Sequence, residues 1–408
     1  MKRWQKSLAL VAVLALVAGV LAGCGGGSTT PAPTEQPKQK VSLTVFTHLT
    51  DPEIEALKKI GDEWAKQTGN EVKVLKSTAD FQAESTAAMN KKYDIMFGLA
   101  HDNLGTFQKA GLLAQVPAGI MNDADYVPVA VSAVTIGGKK YAVPVALETY
   151  GLFYNTDKVK EAPKSFEELV TVAKANGGFA FDINNFYYSF AFLSANGGYV
   201  FKDKGGTLDP SDIGLGNEGA VKGWDFLQKL VTQEKFMDKA IAGDIAEGLF
   251  TKKQTAFFIS GPWSVNGLKK AGVNFSVIPL PTLAGGTPKP FVGVQAAYVN
   301  SKSDNQEAAW ELMKFMMEKT STLYKVGNRL PVLNSVIGSD EVKNDPVLSG
   351  FINSSKNGVP MPNIPEVQAM WTPGANALKA LTAGQLTPQK AAEQVVAQVK
   401  DGIANQQK

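Results

Sequence analysis

The chain has 408 residues, 44% of them hydrophobic, and a formal net charge of +3 from 41 Lys and Arg against 38 Asp and Glu. That length and apolar content suffice for two lobes, while the scattered basic residues, never interleaved with aromatics in a block, exclude a nucleic-acid partner. A single cysteine excludes an intramolecular disulfide, and one cysteine with two histidines falls short of a typical zinc set, so no metal and no cofactor are expected.

In chain order, Met1-Lys2-Arg3-Trp4-Gln5-Lys6 is a basic start followed by an apolar run, Leu8 to Val20, too short to span a bilayer; residues 1–23 read as an export signal. The run ends in Leu21-Ala22-Gly23-Cys24, which resembles the lipobox of bacterial lipoproteins and implies that Cys24 becomes the acylated first residue. A cleaved secretory peptide with an incidental cysteine is the alternative. After Cys24 the stretch GGGSTTPAPTEQPKQK holds no large apolar side chain, so 24–40 is expected to be a disordered tether between a lipid and the folded part. The expected location is extracytoplasmic, anchored to the cell membrane by lipid.

Val41 to Thr47 alternates like a strand, and Asp51-Pro52 supplies a helix cap and a Pro at the first helical position. Leu57, Ile60 and Trp64 mark one face of that helix and Gly69 its C-terminal cap. Val72 to Leu75, a helix from Asp80 to Met89, and Tyr93 to Phe97 complete a β-α-β-α-β run, the signature of a mainly parallel sheet covered on both faces. Gly137-Gly138 is expected to turn between strands Val131 to Ile136 and Tyr141 to Val145, with Gly151 to Asn155 a further strand. Ser165-Phe166-Glu167-Glu168 reads as a capping box opening a helix that closes at Gly177-Gly178. Trp224, Leu227 and Val231 mark another helix, Thr255 to Ile259 and Phe275 to Leu280 core strands, and Asn305 to Met317 and Pro388 to Val399 late helices.

Six stretches then carry a resemblance: Tyr93-Asp94-Ile95-Met96-Phe97 with Ala100-His101-Asp102, Ala110-Gly111-Leu112-Leu113-Ala114, Asn196-Gly197-Gly198-Tyr199, Ser260-Gly261-Pro262-Trp263, Lys289-Pro290-Phe291-Val292-Gly293-Val294, and Met361-Pro362-Asn363-Ile364-Pro365 followed by Trp371. In this order the chain resembles the maltose/maltodextrin-binding proteins of bacterial ABC transporters. The resemblance implies an α/β, two-lobed periplasmic-binding-protein fold, each lobe a central mainly parallel sheet flanked by helices, with a sugar in the cleft between them. The implied lobes are 41–146 plus 297–340 and 151–291 plus 347–408, with hinges near Ala146 to Gly151, Phe291 to Ala297 and Asp340 to Pro346. It further implies a monomer that closes on a maltodextrin-type oligosaccharide and engages permease subunits, and no enzyme activity.

Carried over by position, Asp102 and Glu148 match carboxylates that accept sugar hydroxyls. Tyr187, Phe190, Trp263 and Trp371 match aromatics that pack on sugar rings, and Met361 matches a methionine lining the cleft. The residue chemistry agrees, since a pyranose offers C–H faces to aromatic planes and hydroxyl edges to charged acceptors. Trp263 and Trp371 stand in loop-like contexts after Gly261-Pro262 and Pro365, with core packing the alternative for each. For Asp102 and Glu148 the alternative is a salt bridge or a helix cap.

The sequence also departs from the family pattern. Asp51-Pro52 replaces an Asp-Lys pair, Asn103 an arginine, Asn185 a glutamate, and Thr372 and Ala375 a tyrosine and an arginine; one residue is inserted near Gly98-Leu99. Asn103 and Asn185 remain candidate ligand contacts in an altered site, so another oligosaccharide such as a cyclodextrin is the alternative ligand. A glycoside hydrolase using Asp102 and Glu148 as its carboxylate pair is the rival from another class. Gly214-Leu215-Gly216-Asn217-Glu218-Gly219 fits a dinucleotide fingerprint but follows Asp209-Pro210-Ser211-Asp212 instead of a buried strand, and reads as a loop entering a helix.

Overall fold

The computed structural model describes residues 40–78, 81–205 and 207–406. The export signal, Cys24, the tether before Lys40 and the expected helix start at Asp80 lie outside the described residues. Among the described residues no helix is long and apolar enough to cross a membrane.

Strand β1 (Ser42–Thr47) buries Leu43 and Val45 completely on one face. Helix α1 (Asp51–Thr68) starts one residue earlier than the Asp51 cap predicts. Thr50 is the N-cap, its N–H donating to the Glu53 carboxylate at 2.9 Å, and Pro52 falls in the first turn behind Asp51. Gly69 closes the helix in the left-handed region at φ 76°, as its position predicts. Strands β2 (Glu71–Lys76) and β3 (Ile95–Ala100) flank β1 in parallel, with the helix Phe81–Met89 between them in sequence.

The expected strand Val131 to Ile136 is corrected. Pro128–Ala133 is helical, started by a proline after the extended Val127, and only Thr135–Ile136 pairs with Lys139–Lys140 across Gly137 and Gly138, both at positive φ. Strand β4 (Val143–Glu148) then completes its run in the first sheet, and β5 (Gly151–Asn155) opens the second.

β6 (Phe179–Ala180), β7 (Phe257–Ser260) and β8 (Phe275–Ile278) join β5 in the order β8-β5-β7-β6. β9 (Phe291–Val299) returns to the first sheet, where β10 (Val359–Pro360) also adds, giving β10-β9-β3-β1-β2 with β4 on β9. The first sheet keeps its parallel β1-β2-β3 part, but β9 runs antiparallel to β3 and β4. In the second sheet β5 is antiparallel to both β7 and β8, leaving only β7–β6 parallel. This mixed pairing follows from the chain passing between sheets through consecutive strands, β4 into β5 and β8 into β9, where no helix intervenes to restore a parallel direction.

Helix α2 (Phe166–Asn176) is capped by Ser165 as predicted, although the Glu168 carboxylate accepts from the Lys164 N–H at 2.8 Å and so does not close the box on Ser165. α3 (Phe186–Ser194) and α4 (Glu218–Thr232) pack together with α8 (Gln368–Thr382) and α9 (Pro388–Gln406), and α3 also touches β9. The GxGxxG stretch is a short 3-10 turn leading into α4, capped by Asn217, in agreement with its reading as a loop. α5 (Gln306–Glu318) and α6 (Thr320–Gly327) pack on α1, and α7 (Pro346–Asn357) packs on β8.

Candidate functional site

The crossing strand β9 is the base of the site. Alternation places Phe291, Gly293 and Gln295 on one face. The Phe291 ring stacks on Phe190 with centroids 4.0 Å apart and planes 7° from parallel. It also lies 6.1 Å from Tyr187 and 5.9 Å from Trp371, and Tyr187 in turn lies 6.4 Å from Trp263. The four sequence-predicted aromatics therefore form one cluster around a fifth.

Within the cluster the rings differ in exposure. Phe190 is only 2% exposed and forms the underlying layer, whereas Tyr187, Trp263 and Trp371 are half-buried and keep surface free. Trp263 sits on the short turn Pro262–Ser264 and folds back over Gly261, where a Cβ would come 2.1 Å from the indole. Trp371 does not lie in a loop as expected: it is in the first turn of α8, where Gly374 lets the helix close onto the Phe186 ring.

The acids approach from the first sheet. At the end of β3 the register slips, Ala296 facing Leu99 and Ala297 facing Phe97, so Gly98 is an unpaired bulge residue at φ 87°. The expected insertion near Gly98-Leu99 coincides with this bulge, which turns the strand into the 3-10 turn His101–Asn103. Asp102 is 6% exposed. Burial raises its carboxyl to about 7, opposed by its own backbone and by hydrogen bonding from Trp371 and Gln368. Asn103 donates to the Asp102 carboxylate at 3.2 Å and to the Ala100 carbonyl at 3.0 Å, and Gln368 donates to the Asp102 carbonyl at 3.1 Å.

His101 accepts from the Val294 N–H on Nδ1 at 3.0 Å, which leaves Nε2 to donate to the Met361 carbonyl at 3.0 Å. Burial lowers its pKa to about 4, so it is a neutral structural tie between β3, β9 and the segment after β10. That tie places Met361, whose methyl lies 3.1 Å from where a Cβ on Gly293 would stand.

Glu148, at the end of β4, has both oxygens engaged: Arg329 donates to Oε1 and Gln295 donates to Oε2 at 2.7 Å. Arg329 is fixed from behind by Glu53, with contacts of 2.8 and 3.0 Å. Burial raises the Glu53 pKa, but Arg329 and the Thr50 hydrogen bonds together outweigh it and the net shift is down. The salt-bridge alternative therefore describes Glu148 in part, as a member of a buried ion network at the edge of the cleft. The Tyr187 hydroxyl is held protonated mainly by burial and then by Glu148, with Asp102 also contributing, which puts all three within electrostatic reach of one another. Asn185 is exposed and caps α3, accepting from the Tyr187 N–H at 3.1 Å; the structure does not bring it to the two acids. Asp51, in place of the family's Asp-Lys pair, is exposed and bonded to Lys76 at 2.6 Å.

The sequence did not single out Tyr150 and Tyr188, whose rings flank Tyr187 at 4.9 and 5.3 Å, nor Phe291, Gln295, Arg329 and Gln368 as site residues. Phe291 had a signal, since it lies in a stretch that carried the resemblance; Arg329 had none. The assembled site offers half-buried aromatic planes and buried acceptors, suited to holding a polyhydroxylated solute non-covalently.

Comparison with known proteins agrees with that chemistry. The family described as Bacterial extracellular solute-binding protein matches residues 59–349. The chain is 35% identical to the galactooligosaccharide-binding protein of Bacillus subtilis (strain 168), over 74% of this chain and 75% of that protein. It is 29% identical to a maltooligosaccharide ABC transporter solute-binding lipoprotein of Streptococcus pneumoniae (strain ATCC BAA-255 / R6), over 98% of each. Among solved structures, the maltose-maltodextrin binding protein of the thermoacidophilic bacterium Alicyclobacillus acidocaldarius superposes with a TM-score of 0.84 at 35% identity, covering 88% of this chain and 100% of that one.

Proposed function

The chain belongs to the bacterial extracellular solute-binding proteins, and from that premise we propose that it captures a maltodextrin-type oligosaccharide for an ABC importer. The observation that carries the sugar reading is the set of half-buried rings Tyr187, Trp263 and Trp371 linked through Phe291, with Trp371 hydrogen-bonded to the Asp102 carboxyl. The rings hold pyranose faces and Asp102 accepts from hydroxyls at the rim, with Glu148, Asn103 and Met361 completing the wall. Membership of a family of binding proteins counts against the hydrolase rival, and Glu148, engaged on both oxygens, is poorly placed as a free base.

In this reading the lobes divide where the chain crosses between sheets, at Thr149-Tyr150, between β8 and β9, and through 334–345 between the segment bridged to Tyr126 and helix α7. The mature chain is held at the membrane by lipidated Cys24 and acts as a monomer delivering sugar to permease subunits. A galactooligosaccharide is the second reading, favoured by the 35% identity to a protein so named.

Calorimetry with maltotriose, maltotetraose, a cyclodextrin and a galactooligosaccharide decides among the ligands. Trp263→Ala and Trp371→Ala are expected to weaken the preferred sugar by about tenfold or more, as for a buried aromatic anchor. Unchanged binding by both variants would show that the sugar is held elsewhere.

A further inference from the structure

We infer that Gln295 is a ligand-reading residue on the floor of the cleft, its side-chain carbonyl accepting a hydrogen bond from a sugar hydroxyl. The inference rests on the carbohydrate reading above and adds a contact that neither the sequence nor the resemblance pointed to.

The direction of the side chain is fixed first by the strand. Phe291, two pleats earlier on β9, enters the aromatic cluster, and Gly293, one pleat earlier, lies under the Met361 methyl with the Glu148 Cβ 3.6 Å from where its own would stand. Gln295 is the next residue on this face and the one half-buried position in a strand otherwise buried along its length.

The orientation of its amide is fixed next. Nε2 donates to Glu148 Oε2 at 2.7 Å, and because an ionised carboxylate only accepts, the nitrogen must be the end turned to Glu148. Glu148 is itself immobilised by Arg329, and Arg329 by its two bonds to Glu53. The chain Glu53, Arg329, Glu148, Gln295 thus passes a defined orientation from the buried start of α1 to the cleft.

At its end stands Gln295 Oε1, buried and without a hydrogen-bond partner among the described residues. A buried amide carbonyl left unpaired is costly, and a solute that brings a hydroxyl donor relieves that cost, whereas one presenting only C–H or another acceptor does not. The floor therefore discriminates by one hydroxyl, while the rings above it discriminate by shape. Arg329 and Glu148 act here as positioning residues.

The test is titration calorimetry of the wild type and of Gln295→Leu and Gln295→Met with maltotriose and with a set of monodeoxygenated maltosides. Both variants keep the side-chain bulk, so one stands in if the other folds poorly. Expected is a loss of about five- to hundredfold for maltotriose, together with one deoxy position that the wild type penalises and the variants do not. A purely structural role would lower affinity for every analogue alike and leave that penalty in place, overturning the inference. So would undiminished maltotriose binding by the variants. If the wild type binds none of these sugars but binds a galactooligosaccharide, the same comparison is made with that sugar's deoxy analogues; if it binds no sugar at all, the transport reading falls first and this contact with it.

Discussion

His101 and Asp102 are neighbours in sequence, and burial moves both toward neutrality in opposite directions, one pKa down to about 4 and the other up to about 7. Below pH ~6.5 an unfolded chain protonates its histidine while the folded one does not, so His101 costs stability progressively as pH falls toward 4. For Asp102 the sign is reversed: its neutral form is the one the fold favours, and that contribution, complete below pH ~3.9, is lost as pH rises through about 7. A sugar hydroxyl donating to Asp102 favours the ionised form, so binding should draw the carboxyl down and release a proton near pH 7. Calorimetry at pH 7 in phosphate and in Tris is expected to give different apparent enthalpies for the wild type and equal ones for Asp102→Asn, with wild-type affinity rising from pH 6 to pH 8. Equal enthalpies for the wild type in the two buffers would remove Asp102 from the contact.

At the scale of elements, two glycines hold the site's two sides by different physics. Gly98 sits at φ 87° with Leu49 only 2.7 Å from where a Cβ would be, so Gly98→Ala meets both backbone strain and a buried side chain and is expected to cost about 1–3 kcal/mol in urea unfolding. Gly261 has an ordinary extended backbone at φ −108°, and the atoms nearest to where a Cβ would stand all belong to the Trp263 ring. Gly261→Ala is therefore expected to displace the indole and lower sugar affinity with little change in unfolding midpoint; equal effects of the two variants on stability would refute the distinction. The same contrast explains what the sequence reveals. Helix α2 was legible to the residue because Ser165 and Gly177 are local signals, and strand β5 has the expected bounds as a short apolar run. Helix α8 was not legible, since Trp371 after Pro365 reads as loop-like while what makes the segment helical is burial of Ala377, Leu378 and Leu381 against distant helices. Glu148 and Arg329 meet across 181 residues, and no window of sequence contains that pairing.

For the whole molecule, the site exists only where parts of the chain from both sheets meet. Asp102 and Asn103 follow β3 of the first sheet, whereas Gln368 and Trp371 belong to α8, which packs with α3, α4 and α9. Gln368 joins them directly, donating to the Asp102 carbonyl at 3.1 Å and to Asn103 Oδ1 at 3.4 Å. In the proposed two-lobed reading, opening the cleft would break these bonds, so that Gln368 would favour the closed arrangement before any sugar makes its own contacts. A ligand that binds only the closed form has its apparent affinity reduced by the fraction of molecules that are open. Gln368→Ala should raise that fraction without touching the aromatic planes, weakening maltotriose by roughly three- to tenfold, the share one modest hydrogen bond contributes. Small-angle scattering separates this from a direct sugar contact: the ligand-free variant should have a larger radius of gyration than the ligand-free wild type, and the two should coincide at saturating sugar. A variant that binds more weakly with an unchanged ligand-free radius would make Gln368 a ligand contact and leave closure to be driven by the sugar alone.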